Sequence, residues 1–166
     1  MSARRLLALL SAACLAAGCA TLQTSVRSDP AADFSRYRTF RIERDRLETG
    51  TQQWLNEQIS ARLAGKGLAP AEKDADLQVV PRQFRNRATA DSTGYGWWTG
   101  GLMTQTTEDI PAGTLVVDLV DLGKKQLVWR GMATGTIPSS GALRRDKVER
   151  ALDRLFAEFP RKTAAK

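Results

Sequence analysis

Histidine is absent from all 166 residues, which removes the commonest general base and the commonest protein metal ligand. Cysteine is nearly absent too: Cys14 and Cys19 lie within the first twenty residues, and none follows. A domain built from the rest of the chain has no free thiol and no disulfide, so its stability rests on its core. No apolar run approaches the ~20 residues that span a bilayer. The longest, Leu6 to Ala17, is about a dozen residues and follows Arg4 and Arg5. A short basic start and a short apolar run read as an export signal.

That signal leads through Leu15-Ala16-Ala17-Gly18 into Cys19. Small residues running into a cysteine resemble the bacterial lipobox, although Leu15 stands one position further from the cysteine than the pattern prefers. The resemblance implies cleavage before Cys19 and acylation of its sulfur. Residues 1–18 are then a lipoprotein signal peptide and 19–25 a lipidated tether. An ordinary signal ending after Ala20 is the alternative. Ala20 after the cysteine, in place of aspartate, points to the outer membrane, with the domain facing the periplasm. Residues 26–160 form a single domain, and 161–166 a basic tail. From Cys19 onward 148 residues remain, enough for one core.

The formal charge is +7, and +5 once Arg4 and Arg5 leave with the signal. Arginines cluster from Arg27 to Arg46 and again at Arg82, Arg85 and Arg87. Such a surface suits anionic lipid headgroups, glycans or an envelope protein. Export from the cytoplasm argues against nucleic acid. Interspersed with Asp and Glu, the same charges also read as plain solvated surface.

Alternation of apolar residues predicts strands ending near Ser28, over Arg38–Glu43, over Asp76–Arg87, over Thr114–Asp121 and over Gln126–Gly135. Pro81 demotes the second half of the third strand to an edge or a bulge. The last two strands form a hairpin across Leu122-Gly123-Lys124-Lys125, with Leu127, Trp129, Gly131 and Ala133 expected on one face. Leu55, Ile59 and Leu63, with Trp54 beside them, mark a first helix capped by Thr51. Val148, Ala151, Leu152, Leu155 and Phe159 mark a second, capped by Ser139 or Ser140. The expected architecture is α+β: a mixed, mainly antiparallel sheet of about five strands with both helices on one face.

These segments resemble the bacterial lipoproteins grouped as domain of unknown function 4136. The resemblance is carried by Asp33-Phe34-Ser35-Arg36-Tyr37-Arg38-Thr39-Phe40, Ala75-Asp76-Leu77-Gln78-Val79 and the closing Phe159-Pro160. Most specific is the hairpin Gly113-Thr114-Leu115-Val116-Val117-Asp118-Leu119-Val120-Asp121 with Leu127-Val128-Trp129-Arg130-Gly131. It implies an α+β envelope lipoprotein and supplies no catalytic residue.

Chemistry finds little support elsewhere. Asp118 and Asp121 are three apart on a strand and point to opposite faces; Asp121 suits the start of a turn. Ser139 or Ser140 with Lys147 has the residue types of a dyad, but the serines already serve as caps. The expectation is therefore no enzyme, no catalytic residue, no metal and no cofactor. The remaining candidate is the 25-residue connection 88–112, centred on Tyr95, Trp97 and Trp98 between glycines. Long connections are often functional, and Trp and Tyr suit interfaces with one apolar and one wet side. The expected function is a membrane-anchored interaction module. A small-ligand-binding domain is the alternative, and a tryptophan covering a sheet edge is the structural reading of the loop.

If the loop recognises a partner, changing Trp97 and Trp98 together to Ala leaves the melting temperature almost unchanged and weakens envelope association by about 1–3 kcal/mol. A fall in melting temperature, with shielded tryptophan emission in the isolated domain, would make the loop a structural cover.

Overall fold

The computed structural model describes residues 22–44, 49–86, 88–95, 103–136 and 144–160, of which 88–95 and 103–109 are described by their backbone. Its strands are β1 (Gln23–Ser28), β2 (Thr39–Ile42), β3 (Ala69–Pro70), β4 (Leu77–Phe84), β5 (Ala88–Tyr95), β6 (Met103–Ile110), β7 (Thr114–Asp121) and β8 (Gln126–Thr134). Helix α1 (Gly50–Gly65) lies between β2 and β3, and α2 (Arg145–Ala157) follows β8. Six strands form one sheet in the order β1-β8-β7-β4-β2-β3, and β5 and β6 pair as a separate ribbon. The sheet is antiparallel from β1 to β4 and parallel where β2 meets β4 and β3. The α+β class therefore holds, with six strands in the main sheet rather than about five.

The connection 88–112 is not mainly a loop. Eight residues of β5 pair in register with eight of β6, Ala88 opposite Ile110 through Tyr95 opposite Met103. The two strands are rich in Thr and other small or polar residues and carry no alternation of large apolar side chains, which hid the ribbon from a reading based on apolar periodicity. The domain also starts earlier than expected. β1 begins at Gln23, pairing with Thr134, and Leu22 already packs against the core.

Leu115, Val117 and Leu119 of β7 face the helices, opposite Ala133, Gly131 and Trp129 of β8. Leu55, Ile59 and Leu63 of α1 and Val148, Ala151, Leu152 and Leu155 of α2 are all fully buried against this face. Phe156 adds to the expected α2 stripe and stacks on Trp129 at 5.4 Å and 24° between planes. Phe34, Tyr37 and Phe159 close the same cluster through edge-on ring contacts. Both caps differ from expectation. Thr49 caps α1 by accepting a hydrogen bond from Gln52 N, and α2 opens at Arg144 with no side-chain cap. Ser139 and Ser140 lie outside the described residues.

Leu127 departs from its expected face. A bulge sets Leu119 opposite Trp129 but Val120 opposite Leu127. Val128 is thus the extra residue, and Val128 and Trp129 enter the core consecutively while Leu127 turns to the other side. Pro81 behaves as expected. β2 ends opposite Val79, and the Val79 carbonyl, bonded to Glu43 N at 2.8 Å, shows that odd-numbered residues of β4 present their backbone to β2. Pro81 comes after that neighbour has stopped, so its missing N–H breaks no ladder bond.

Gly131 makes the Trp129 packing possible. A Cβ at position 131 would stand 2.5 Å from Trp129 Cη2, 3.0 Å from its Cζ3 and 3.2 Å from Leu155 Cδ1. The indole lies across the bare backbone and is wholly buried, at the cost of an Nε1–H with no hydrogen-bond partner. Gly131→Ala is expected to destabilise by about 1–3 kcal/mol as an overpacking change, lowering the melting temperature by several degrees. Trp129→Ala is expected to cost about 3–5 kcal/mol. Gly65→Ala, whose Cβ meets nothing within 4 Å, is the control and should leave thermal unfolding unchanged or slightly raised.

Candidate functional site

On the sheet face opposite the helices, neighbouring strands bring Asp118 and Arg130 directly across from each other. Arg130 Nε donates to Asp118 Oδ1 at 2.7 Å, and Arg130 Nη2 to Asp118 Oδ2 at 2.9 Å. Both are buried, and Arg82 adds a longer contact to Asp118 at 3.8 Å from an exposed position on β4. This two-pronged geometry satisfies both carboxylate oxygens. A carboxylate held so is a structural partner rather than a free base. The pair was missed in the sequence, although a four-residue turn after Asp121 places residues 118 and 130 within one position of each other.

Asp121 points the other way, as strand alternation requires. Its Oδ1 accepts from Lys124 N at 2.9 Å, which is the expected turn role, and its Oδ2 accepts from Tyr37 OH at 2.8 Å. Burial, followed by the bond to Asp121, pushes the Tyr37 hydroxyl far above the ordinary phenol range. Asp118 and Asp121 thus cannot converge on one substrate. Among the described residues no three of His, Cys, Asp and Glu gather in a metal-binding group.

Asp76 closes the junction of β2 and β4. Its Oδ2 accepts from Arg38 N at 2.7 Å, Thr39 N at 2.9 Å and Thr39 Oγ1 at 3.0 Å, and Thr39 Oγ1 accepts in return from Asp76 N. These bonds, the Arg38 N–H first, hold the carboxyl below its usual range. The Asp33 to Phe40 and Ala75 to Val79 segments meet at this clip, and the Tyr37–Asp121 bond ties the first of them to the end of β7.

The sites expected from sequence are only partly in view. Tyr95 ends β5, with its backbone opposite Met103. Cys19, Trp97 and Trp98 lie outside the described residues. Lys147 sits in the first turn of α2. Arg27, Arg36, Arg38, Arg41, Arg44, Arg82 and Arg85 are exposed, and the strand registers put Arg27, Arg41 and Arg82 on the sheet face opposite the helices. Arg46 and Arg87 lie outside the described residues. A groove of about 1080 Å³ runs between α1 and the β2–β3 edge, lined by Phe40, Ile42, Ala61 and Pro70 with Arg41 and Glu57 at its sides.

A six-stranded mixed sheet with two helices on one face, and a paired ribbon inserted between β4 and β7, defines a small α+β domain without an assembled catalytic constellation among the described residues. The chain belongs to the family described as domain of unknown function (DUF4136), whose model matches residues 24–161. A DUF4136 family protein from Bacteroides thetaiotaomicron has a similar crystal structure, with a TM-score of 0.61 and 20% identity over 86% of this chain and 97% of that one. A PDZ domain protein from Parabacteroides distasonis is similar with a TM-score of 0.54 and 16% identity, over 87% of this chain and 36% of that one. At these identities the likeness establishes the fold alone. No curated protein matches the sequence.

Asp76 links fold to pH. Its folded-state pKa is depressed, so its contribution is fully present above the unfolded value near 3.8 and is lost as pH falls through the folded value. Asp76→Ala is expected to lower stability at pH 7 by about 1.5–3 kcal/mol, the range for hydrogen bonds to a charged group. The deficit relative to wild type should shrink as the pH is taken below 3.8 in chemical-denaturation measurements.

Proposed function

We propose that this protein is a lipid-anchored component of the cell envelope, held in the outer membrane through Cys19 and acting there as a non-catalytic interaction module. The observation that carries the reading is the lipobox-like run into Cys19 only three residues before Leu22, which packs against the core. Three residues reach at most ~10 Å, so the tether is shorter than a boundary at residue 25 implies. An acylated Cys19 would keep the folded domain against the membrane. The absence of histidine and the engagement of Asp118 and Asp121 in structural bonds support a role in binding rather than catalysis. Tyr95, which ends β5, and Trp97 and Trp98, in the stretch of sequence that joins β5 to β6, are the first candidates for contact with an envelope protein, glycan or anionic lipid. The groove beside α1 favours a second reading, a small-ligand-binding domain, because its apolar floor and charged sides suit an amphipathic molecule.

The test is the mass of the N-terminal peptide from protein purified out of membranes. Cleavage before Cys19 with three acyl chains is the expected result, and Cys19→Ala should release the chain into the soluble fraction. An unmodified N-terminus at Thr21 would overturn the anchor. A small molecule that co-purifies with the domain, and whose release lowers its melting temperature, would favour the second reading.

A further inference from the structure

The strand registers place one end of the sheet next to the anchor. Gln23 of β1 is opposite Thr134 of β8, Thr134 opposite Thr114 of β7, and Thr114 opposite Phe84 of β4. Leu22 therefore leaves the domain at the end from which Arg85 continues. Both helices start at this end. Gln52, in the first turn of α1, accepts from Gln83 Nε2 at 3.0 Å. The helices run parallel, since Arg145 lies 5.0 Å over the Trp54 ring and Arg62 meets Asp153 one helical stretch further on.

The residues at this end break a local rule. A helix N-terminus carries partial positive charge and favours acidic side chains. α1 has no acidic residue in its first turn. α2 opens with exposed Arg144 and Arg145, and Arg144 occupies the cap position without capping. Asp146, the acid in that turn, is taken up by Arg144 at 3.4 Å and Arg150 at 2.8 Å. Two arginines at the positive end of a helix oppose helix stability, and such local conflicts tend to mark function.

We infer that this end of the sheet, with Arg85, Arg144 and Arg145, is a membrane-facing surface that rests on anionic phospholipid headgroups beside the lipid anchor. The inference rests on the anchor proposed at Cys19. A tether of ~10 Å is about one Debye length at physiological salt, so these charges stay within reach of the headgroup layer. The opposite end, carrying the β7–β8 turn, would then point away from the bilayer and be free to meet a partner.

The mature chain has no cysteine after Cys19, so one new thiol can be labelled without background in the acylated protein. Acylated Asn86→Cys and Lys124→Cys chains, with a fluorophore at the new thiol, are reconstituted in vesicles containing headgroup-nitroxide lipid. Asn86 is exposed beside Arg85, and Lys124 is exposed in the distal turn. Quenching at position 86 is expected to be about threefold stronger in phosphatidylglycerol-containing vesicles than in phosphatidylcholine alone, and to fall to the neutral level in high salt. Quenching at position 124 should be weak in both. Arg85→Glu with Arg144→Glu and Arg145→Glu should abolish the composition dependence. The two helix-terminal carboxylates favour folding there, and the corresponding triple Ala variant provides a second reading of the same charges. Reversal at the distal Arg36, Lys73 and Lys124 should leave position 86 unaffected. Equal quenching at 86 and 124, or quenching at 86 independent of lipid charge, would overturn the orientation while leaving the anchor in place. Failure of the chain to float with phosphatidylcholine vesicles would overturn the anchor, and the orientation with it.

Discussion

Trp129 lying across Gly131 is the contact on which much of this domain depends. The indole occupies the space a side chain at 131 would need, and its outer face receives Phe156. That stacking seats α2 on the sheet beside α1, whose Leu55, Ile59 and Leu63 enter the same core and whose Arg62 meets Asp153 of α2 at the surface. The bulge at Val128 serves the same contact, because it lets two consecutive residues, Val128 and Trp129, enter the core. The buried Nε1–H without a partner is a cost the site tolerates because ring packing outweighs it.

Arg130, between Trp129 and Gly131, belongs to the other face. Strand alternation turns it away from the helices and onto Asp118, so one short segment ties together both sides of the sheet. β7 is buried on both faces through most of its length, yet only one face carries helices. Val116 and Asp118 are covered on the second face, on the side of β8 that Arg130 occupies, and β5 approaches β8 nearby. A buried ion pair is weak evidence for stability in itself. Its value here is registry: only one alignment of β7 and β8 puts Asp118 opposite Arg130 while keeping Leu119 opposite Trp129.

The DUF4136 relative from Bacteroides thetaiotaomicron keeps this architecture at 20% identity. Alternating patterns and a few close approaches constrain the fold much more strongly than the surface. Surface positions are where this chain departs from simple stability, most visibly at the arginine-rich start of α2.

The sequence by itself determined the α+β class, the two helical stripes, the β7–β8 hairpin and the opposite orientations of Asp118 and Asp121, because each follows from local periodicity or spacing. The ribbon β5–β6 was not legible, since its residues carry no apolar alternation and its pairing is its main signature. Nor was the face of Leu127, because one extra residue in a strand reverses every side chain beyond it and nothing local marks the bulge. Only the tertiary structure decided that Arg130 meets Asp118, that Asp76 joins two strands 37 residues apart in the chain, and that both helix starts share an end with Leu22. Those facts depend on register and on the packing of distant segments, which local sequence does not encode.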